Sequence, residues 1–143
     1  MPQTPPDQVP VQPEKFILLG EDDPDDQLLL REVFSRMDSS FRLLFVDSGD
    51  QIFSALGKLR DDQRPCLIVL DYNLPGQNGA DVLKELNTNP AYMRIPKIIW
   101  STSAAEKYKT LCLAAGAVDY IIKPSNTKEL ETVAQYMLSL CLT

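Results

Sequence analysis

The chain has 143 residues, twenty acidic against fourteen basic, a formal net charge of −6 and no histidine. An apolar fraction of 44% beside 24% charged residues suits one soluble domain with a real core, and no apolar run approaches the ~20 residues needed to cross a bilayer. The acidic balance argues against nucleic acid as a direct ligand, and the missing histidine excludes Ser-His-Asp and Cys-His catalysis and a phosphohistidine on this chain, leaving carboxylates, hydroxyls, lysine and a hard metal ion.

Residues 1–14 carry five prolines and few hydrophobics. They are expected to form a disordered or polyproline-like tail, without the basic leader or apolar stretch of a secretion signal. Residues 15–143 read as one domain. Phe16–Leu19 is a short apolar run, as in a strand buried on both faces. Pro24 opens a helix with Leu29, Val33, Phe34 and Met37 on one side. Phe41–Val46 reads as a second strand, and Ile52, Ala55, Leu56 and Leu59 fall at helical spacing after it. Leu67–Leu70 is a third buried strand, followed by a helix marked by Ala80, Leu83 and Leu86. Pro96 starts a fourth extended segment through Ile98, Ile99 and Trp100, with Trp100 alternating into the core away from Ser101. Tyr108, Leu111, Cys112 and Ala115 give a fourth helical face stopped by Gly116, and Val118–Ile122 is a fifth strand. Leu130, Val133, Ala134, Met137, Leu138 and Cys141 form the last helical stripe. Cys66, Cys112 and Cys141, odd in number and set in apolar segments, read as buried thiols in a reducing cytoplasm.

Strands alternating with helices imply βαβ units and a parallel sheet covered on both faces. The expected fold is α/β and flavodoxin-like, a doubly wound (βα)5 sheet of order 2-1-3-4-5 with its site at the carboxyl ends of the strands. The loops at that end carry Glu21-Asp22-Asp23-Pro24-Asp25-Asp26, then Asp71 and Asn73, then Ser101, then Lys123-Pro124. Neighbouring first and third strands would converge Glu21, Asp22 and Asp71, whose mutual repulsion a hard cation such as Mg²⁺ would relieve. Asp71 has the chemistry of an aspartyl-phosphate nucleophile, Lys123 that of a point charge for a phosphoryl oxygen, and Ser101 that of a hydroxyl donor. Taken singly, an acidic run before a helix is capping, a Lys-Pro is a turn and a serine at a strand end means nothing. Their joint occurrence after successive strands favours a site.

The stretches ILLGEDDPDD, LIVLDYNLPGQNG, IPKIIWSTS and AGAVDYIIKPSN resemble the receiver domains of two-component response regulators over about residues 15–142. The opening is similar to that of single-domain receivers serving phytochrome-type kinases. The resemblance implies that Asp71 is the phosphoacceptor and that Glu21, Asp22, Asp71 and the backbone carbonyl of Asn73 hold Mg²⁺. It implies that Ser101 and Lys123 contact the phosphoryl group, that Tyr120 is the switch aromatic, turning inward as the Ser101 hydroxyl moves to the phosphate, and that the Lys123-Pro124 bond is often cis. It implies a cytoplasmic protein whose partner is a sensor histidine kinase or a histidine phosphotransfer protein. A downstream protein or a second copy would meet the fourth helix, fifth strand and fifth helix, with neither nucleic acid nor membrane involved. Ser101 stands where threonine is commoner, and Thr102 where a smaller residue is usual. With no output domain in the sequence, the chain is expected to act by binding.

Two other readings stay open. A haloacid-dehalogenase-type Mg²⁺-dependent phosphohydrolase also uses an aspartate after a strand, but wants a second aspartate two residues on, where Asn73 stands. A receiver-like module that is never phosphorylated would work purely through its surface.

Overall fold

Short strands rich in leucine, isoleucine and valine alternate with capped amphipathic helices, and the parallel sheet that results decides which loops meet. A computed structural model of the chain describes residues 15–37 and 41–142, so the expected proline-rich tail, residues 1–14, lies outside the described residues. The elements run β1 Phe16–Gly20, α1 Pro24–Met37, β2 Arg42–Val46, α2 Gly49–Gly57, β3 Leu67–Asp71, α3 Gly79–Leu86, β4 Lys97–Ser101, α4 Glu106–Ala114, β5 Asp119–Ile122 and α5 Thr127–Cys141. All pairings are parallel, in the order β2-β1-β3-β4-β5. This is the flavodoxin-like arrangement expected from the alternation.

β3 and β4 are buried along their whole length, whereas the edge strands β2 and β5 are partly open. Alternate strand residues feed two cores. Ile17, Leu19, Val69, Ile98 and Trp100 pack with α1 and α5, while Leu18, Ile68, Leu70 and Ile99 pack with α2, α3 and α4. Side-chain caps fix most helix starts: the Asp23 carboxylate accepts the Asp25 amide, and Ser48, Asn78 and Asn126 accept the amides of Gln51, Asp81 and Glu129. α4 differs. It begins on Ala105 with no side-chain cap and buries only Cys112.

The structure corrects two expected helix faces and one expectation about the cysteines. In the run Leu28-Leu29-Leu30 it is Leu30 that is buried, while Leu29 is 44% exposed. Leu30, Val33, Phe34 and Met37 form the i, i+3, i+4, i+7 series, so the expected stripe holds at Val33, Phe34 and Met37 and only its first member moves, from Leu29 to Leu30. Leu111 is also exposed, because α4 meets the core through Cys112 and Tyr108. Finally, Cys66 and Cys141 are not separate thiols. They form a disulfide with Cα atoms 4.9 Å apart and 75 residues of separation. α5 runs back against the strand direction, so its last residue reaches the end of the sheet where β3 begins, and sequence spacing gave no hint of it. Cys112 alone is a free buried thiol among the described residues, and burial pushes it up to about 11.

Gly116 closes α4 with φ +109, and an added Cβ would strike the Asn87 side chain. Asn87 is fixed there because its Nδ2 donates to the Ala115 carbonyl at 2.8 Å and its Oδ1 accepts from Lys97 Nζ at 2.8 Å. Gly116→Ala should therefore lower unfolding stability by roughly 2 kcal/mol, read as a drop in urea midpoint; an unchanged midpoint would show that the turn can relax.

Lys97 is fully buried in β4, and its ammonium also donates to the Tyr92 carbonyl at 2.5 Å. Burial nevertheless pushes it down to about 8. The unfolded chain keeps that proton up to the ordinary lysine range, so between about pH 8 and 10 it binds more protons than the native state, and stability rises with pH. Cys112 works in the opposite sense above about pH 9. Wild type compared with Lys97→Met isolates the lysine. We expect about 1–3 kcal/mol of extra stabilisation in wild type on going from pH 7 to 9.5, absent from Lys97→Met, in urea denaturation. Parallel pH curves for the two proteins would refute this.

Candidate functional site

The register of the sheet builds the site. Gly20 pairs with Leu70, so the next residues, Glu21 and Asp71, leave the sheet side by side. Asp71 pairs with Trp100, and Ser101 with Ile122, which carries Ser101 and Lys123 to the same rim. The Lys123 amide donates to the Ser101 carbonyl at 2.7 Å and locks those two loops together.

Lys123 is the hub. Its Nζ lies 2.8 Å from Asp71 Oδ2, 2.8 Å from Glu21 Oε1 and 2.9 Å from Asp26 Oδ2. The side chains of Lys123 and Asp71 are about one-tenth exposed and that of Glu21 not at all, so these contacts are shielded from bulk water. Burial disfavours the Lys123 cation, but the hydrogen bonds it donates to Asp26 and Asp71, with the adjacent Glu21 carboxylate, outweigh it and hold its pKa above the ordinary lysine range. Burial pushes Glu21 up to about 7, opposed by Lys123 and by the Asp23 amide and reinforced by Asp71. The ring of Trp100, buried as expected, lies under the ammonium with its centroid 5.0 Å from Nζ.

Each remaining candidate has a place. The Asn73 backbone amide donates to Asp71 Oδ1 at 2.9 Å and orients the carboxylate. Ser101 is buried, and its Oγ accepts the Ser103 amide at 3.1 Å. That bond leaves the hydroxyl proton available to donate. Tyr120 already points inward, its hydroxyl donating to the Ser103 carbonyl at 2.7 Å. Every described peptide bond is trans, Lys123-Pro124 included. Thr102 is exposed beside the site.

Four of the five acids of the first loop divide the work. Asp23 caps α1, Glu21 and Asp22 face Asp71, and Asp26 in the first turn of α1 reaches Lys123. The last contact was missed in the sequence, although a helix opening beside the strand ends points its first turn at the same rim. Carboxylate oxygens of Glu21, Asp22 and Asp71 come within 4.8 Å of one another. Glu21 Oε1 is buried and, despite its ion pair with Lys123, accepts no well-directed hydrogen bond. An oxygen-only donor set with an unsatisfied buried acceptor fits a small hard cation.

The family model of the response regulator receiver domain matches residues 17–135. The chain belongs to the response regulator receiver family. It is thus placed in two-component signalling. This receiver is 33% identical over 126 residues to response regulator Rcp1 of Synechocystis sp., covering 86% of each chain. The Mn²⁺-bound structure of Rcp1 superposes with TM-score 0.76 at 32% identity, over 87% of this chain and 92% of that one. The phosphorylated cyanobacterial phytochrome response regulator RcpA gives TM-score 0.80 at 28% identity, over 91% and 95%. The receiver domain of the Pseudomonas aeruginosa sensor histidine kinase PA1611 has Mg²⁺ coordinated in its active-site cleft, with TM-score 0.70, 27% identity and coverage of 87% and 98%. Metal binding is therefore a property of relatives of this chain, and in PA1611 the ion lies in the active-site cleft. Among the described residues no helix is long and apolar enough to cross a membrane.

Proposed function

We propose that this receiver accepts a phosphoryl group on Asp71 from a phosphohistidine of a partner protein in the cytoplasm and uses it to change a protein-binding face. The observation that carries this reading is the contact of Lys123 Nζ with Asp71 Oδ2 at 2.8 Å, beside a carboxylate cluster suited to a cation. An Asp71 oxygen attacks phosphorus, the P–N bond breaks, and the imidazole leaves with the electron pair. Lys123 turns from Asp71 to a phosphoryl oxygen, with Asp26 keeping its ammonium at the rim. The Ser101 hydroxyl donates to a second phosphoryl oxygen. Mg²⁺, held by Glu21, Asp22, Asp71 and the Asn73 carbonyl, would neutralise the incoming charge. Asn73 stands where a phosphohydrolase needs its second aspartate, which disfavours steady turnover.

The switch follows from the same residues. Ser101 gives up its bond from the Ser103 amide, and Ser103 is the residue whose carbonyl holds Tyr120. Tyr72, next to Asp71, packs on Tyr108 of α4 with ring centroids 4.8 Å apart, and Tyr136 of α5 donates to Asp119 of β5 at 2.9 Å. α4 lacks a side-chain cap, so moving it costs less than moving its neighbours. Leu111, Leu113, Val118 and Ile122 are exposed on α4 and near β5 and would meet a target protein or a second copy. The likeness to RcpA points to a phytochrome-type histidine kinase, or a histidine phosphotransfer protein, as donor.

Amide NMR with acetyl phosphate and Mg²⁺ tests the switch. The account expects shifts at Ser101, Lys123 and across α4, β5 and α5 that vanish with a chelator. Phosphorylation that leaves α4, β5 and α5 unmoved would rule out this readout.

A further inference from the structure

The opposite end of the sheet from Asp71 holds a second chemical site that the phosphoacceptor reading does not use. Cys66 sits just before β3 and Cys141 ends α5, and their disulfide ties the last turn of that helix to the sheet. Both cysteines line an open cavity of about 610 Å³ together with Arg64, Arg94, Pro96 and Leu140. The two arginines matter for thiol chemistry, because nearby cations favour thiolate and attract anionic ligands. Arg64 is held in place by the Ala91 carbonyl and by Asp61 Oδ1 at 3.4 Å. The reduced state also has a place to go: Cys66 Sγ lies 3.3 Å from the Phe16 carbonyl oxygen, an acceptor for the thiol proton. Cys112 has none of these features, being fully buried with its thiol pushed up to about 11.

We propose that Cys66 and Cys141 form a reversible dithiol–disulfide site that exchanges with small carboxylate-bearing disulfides of the glutathione class. One cysteine thiolate attacks a sulfur of the small disulfide, forming a mixed disulfide and expelling one small thiolate. The second cysteine thiolate then attacks the protein-bound sulfur and expels the other. Two electrons pass from the protein to the small disulfide, and the two protons end on the two released thiols. The cavity admits the reagent, and Arg64 and Arg94 receive its carboxylates. Oxidation pins the end of α5, the helix whose Tyr136 bonds β5, and reduction frees it. The same face that reads Asp71 is thereby tuned from the other end of the molecule, and the redox chemistry itself does not depend on phosphorylation.

The full chain is equilibrated in buffers of varied reduced to oxidised glutathione, quenched in acid and alkylated, and its peptides are weighed. Amide hydrogen exchange of α5 is followed in the same buffers. We expect a Cys66–Cys141 linked peptide that appears and disappears reversibly with the ratio while Cys112 stays unmodified in the native protein. The last turn of α5 should exchange on the order of tenfold faster when reduced. Three results would each overturn the proposal: both cysteines alkylated in oxidised glutathione with no linked peptide, a disulfide that excess reduced glutathione leaves intact in the folded chain, or α5 exchange identical in the two states.

Discussion

Lys123→Ala should fold less stably than wild type at pH 8 by about 3–5 kcal/mol in the absence of divalent cations, and addition of Mg²⁺ should restore part of the loss. In wild type one ammonium serves Glu21, Asp26 and Asp71 at 2.8–2.9 Å. Glu21 is completely buried, so removing the cation leaves a carboxylate that must stay unpaired or take up a proton. A divalent ion held among Glu21, Asp22 and Asp71 would replace the missing charge and would stabilise only the native state. Wild type already carries its own counter-charge and should gain less from Mg²⁺ than the variant does. Urea midpoints of both proteins with and without Mg²⁺ decide it. Equal stabilities without Mg²⁺ would mean that the Lys123 contacts contribute nothing in solution.

Leu30→Ala should cost about 2–5 kcal/mol, whereas Leu29→Ala should stay within about 0.5 kcal/mol of wild type. Leu30 is wholly buried between α1 and the sheet, and truncating it leaves a cavity lined by neighbours of α5 and β1. Leu29, one residue earlier and facing outward, is 44% exposed and loses little when shortened. The pair fixes the rotation of α1, and with it the direction in which Asp26 points. Denaturant unfolding of the two variants side by side measures this; equal losses would put the helix in a different rotation.

The same two leucines show what was legible in the sequence. Three consecutive leucines satisfy a helical stripe in more than one register, and only Phe34 and Met37 packing on the sheet select Leu30. The central strands were clear because a parallel sheet buries both of their faces, which makes them nearly continuous apolar runs. The strand order followed from the βα alternation. The residues gathered at the rim were legible for the same reason, since every loop after a parallel strand opens at one end. Asp26 and Lys123, far apart in sequence, meet only through the rotation of α1. Cys66 and Cys141 meet because α5 returns antiparallel to β3. Lys97 is a buried cation inside an apolar strand, and it is satisfied by Asn87 and Tyr92 from a loop whose path no local pattern states. Contacts set by one element's period were readable; those set by two elements' mutual orientation were not.

Intact mass after incubation with acetyl phosphate and Mg²⁺, beside an Asp71→Asn control, tests the central claim most directly. The account predicts one phosphate adduct that requires Mg²⁺ and is absent from Asp71→Asn. An adduct of equal yield in Asp71→Asn would contradict it, because the phosphoryl group would then sit elsewhere than on the carboxylate that Lys123 contacts.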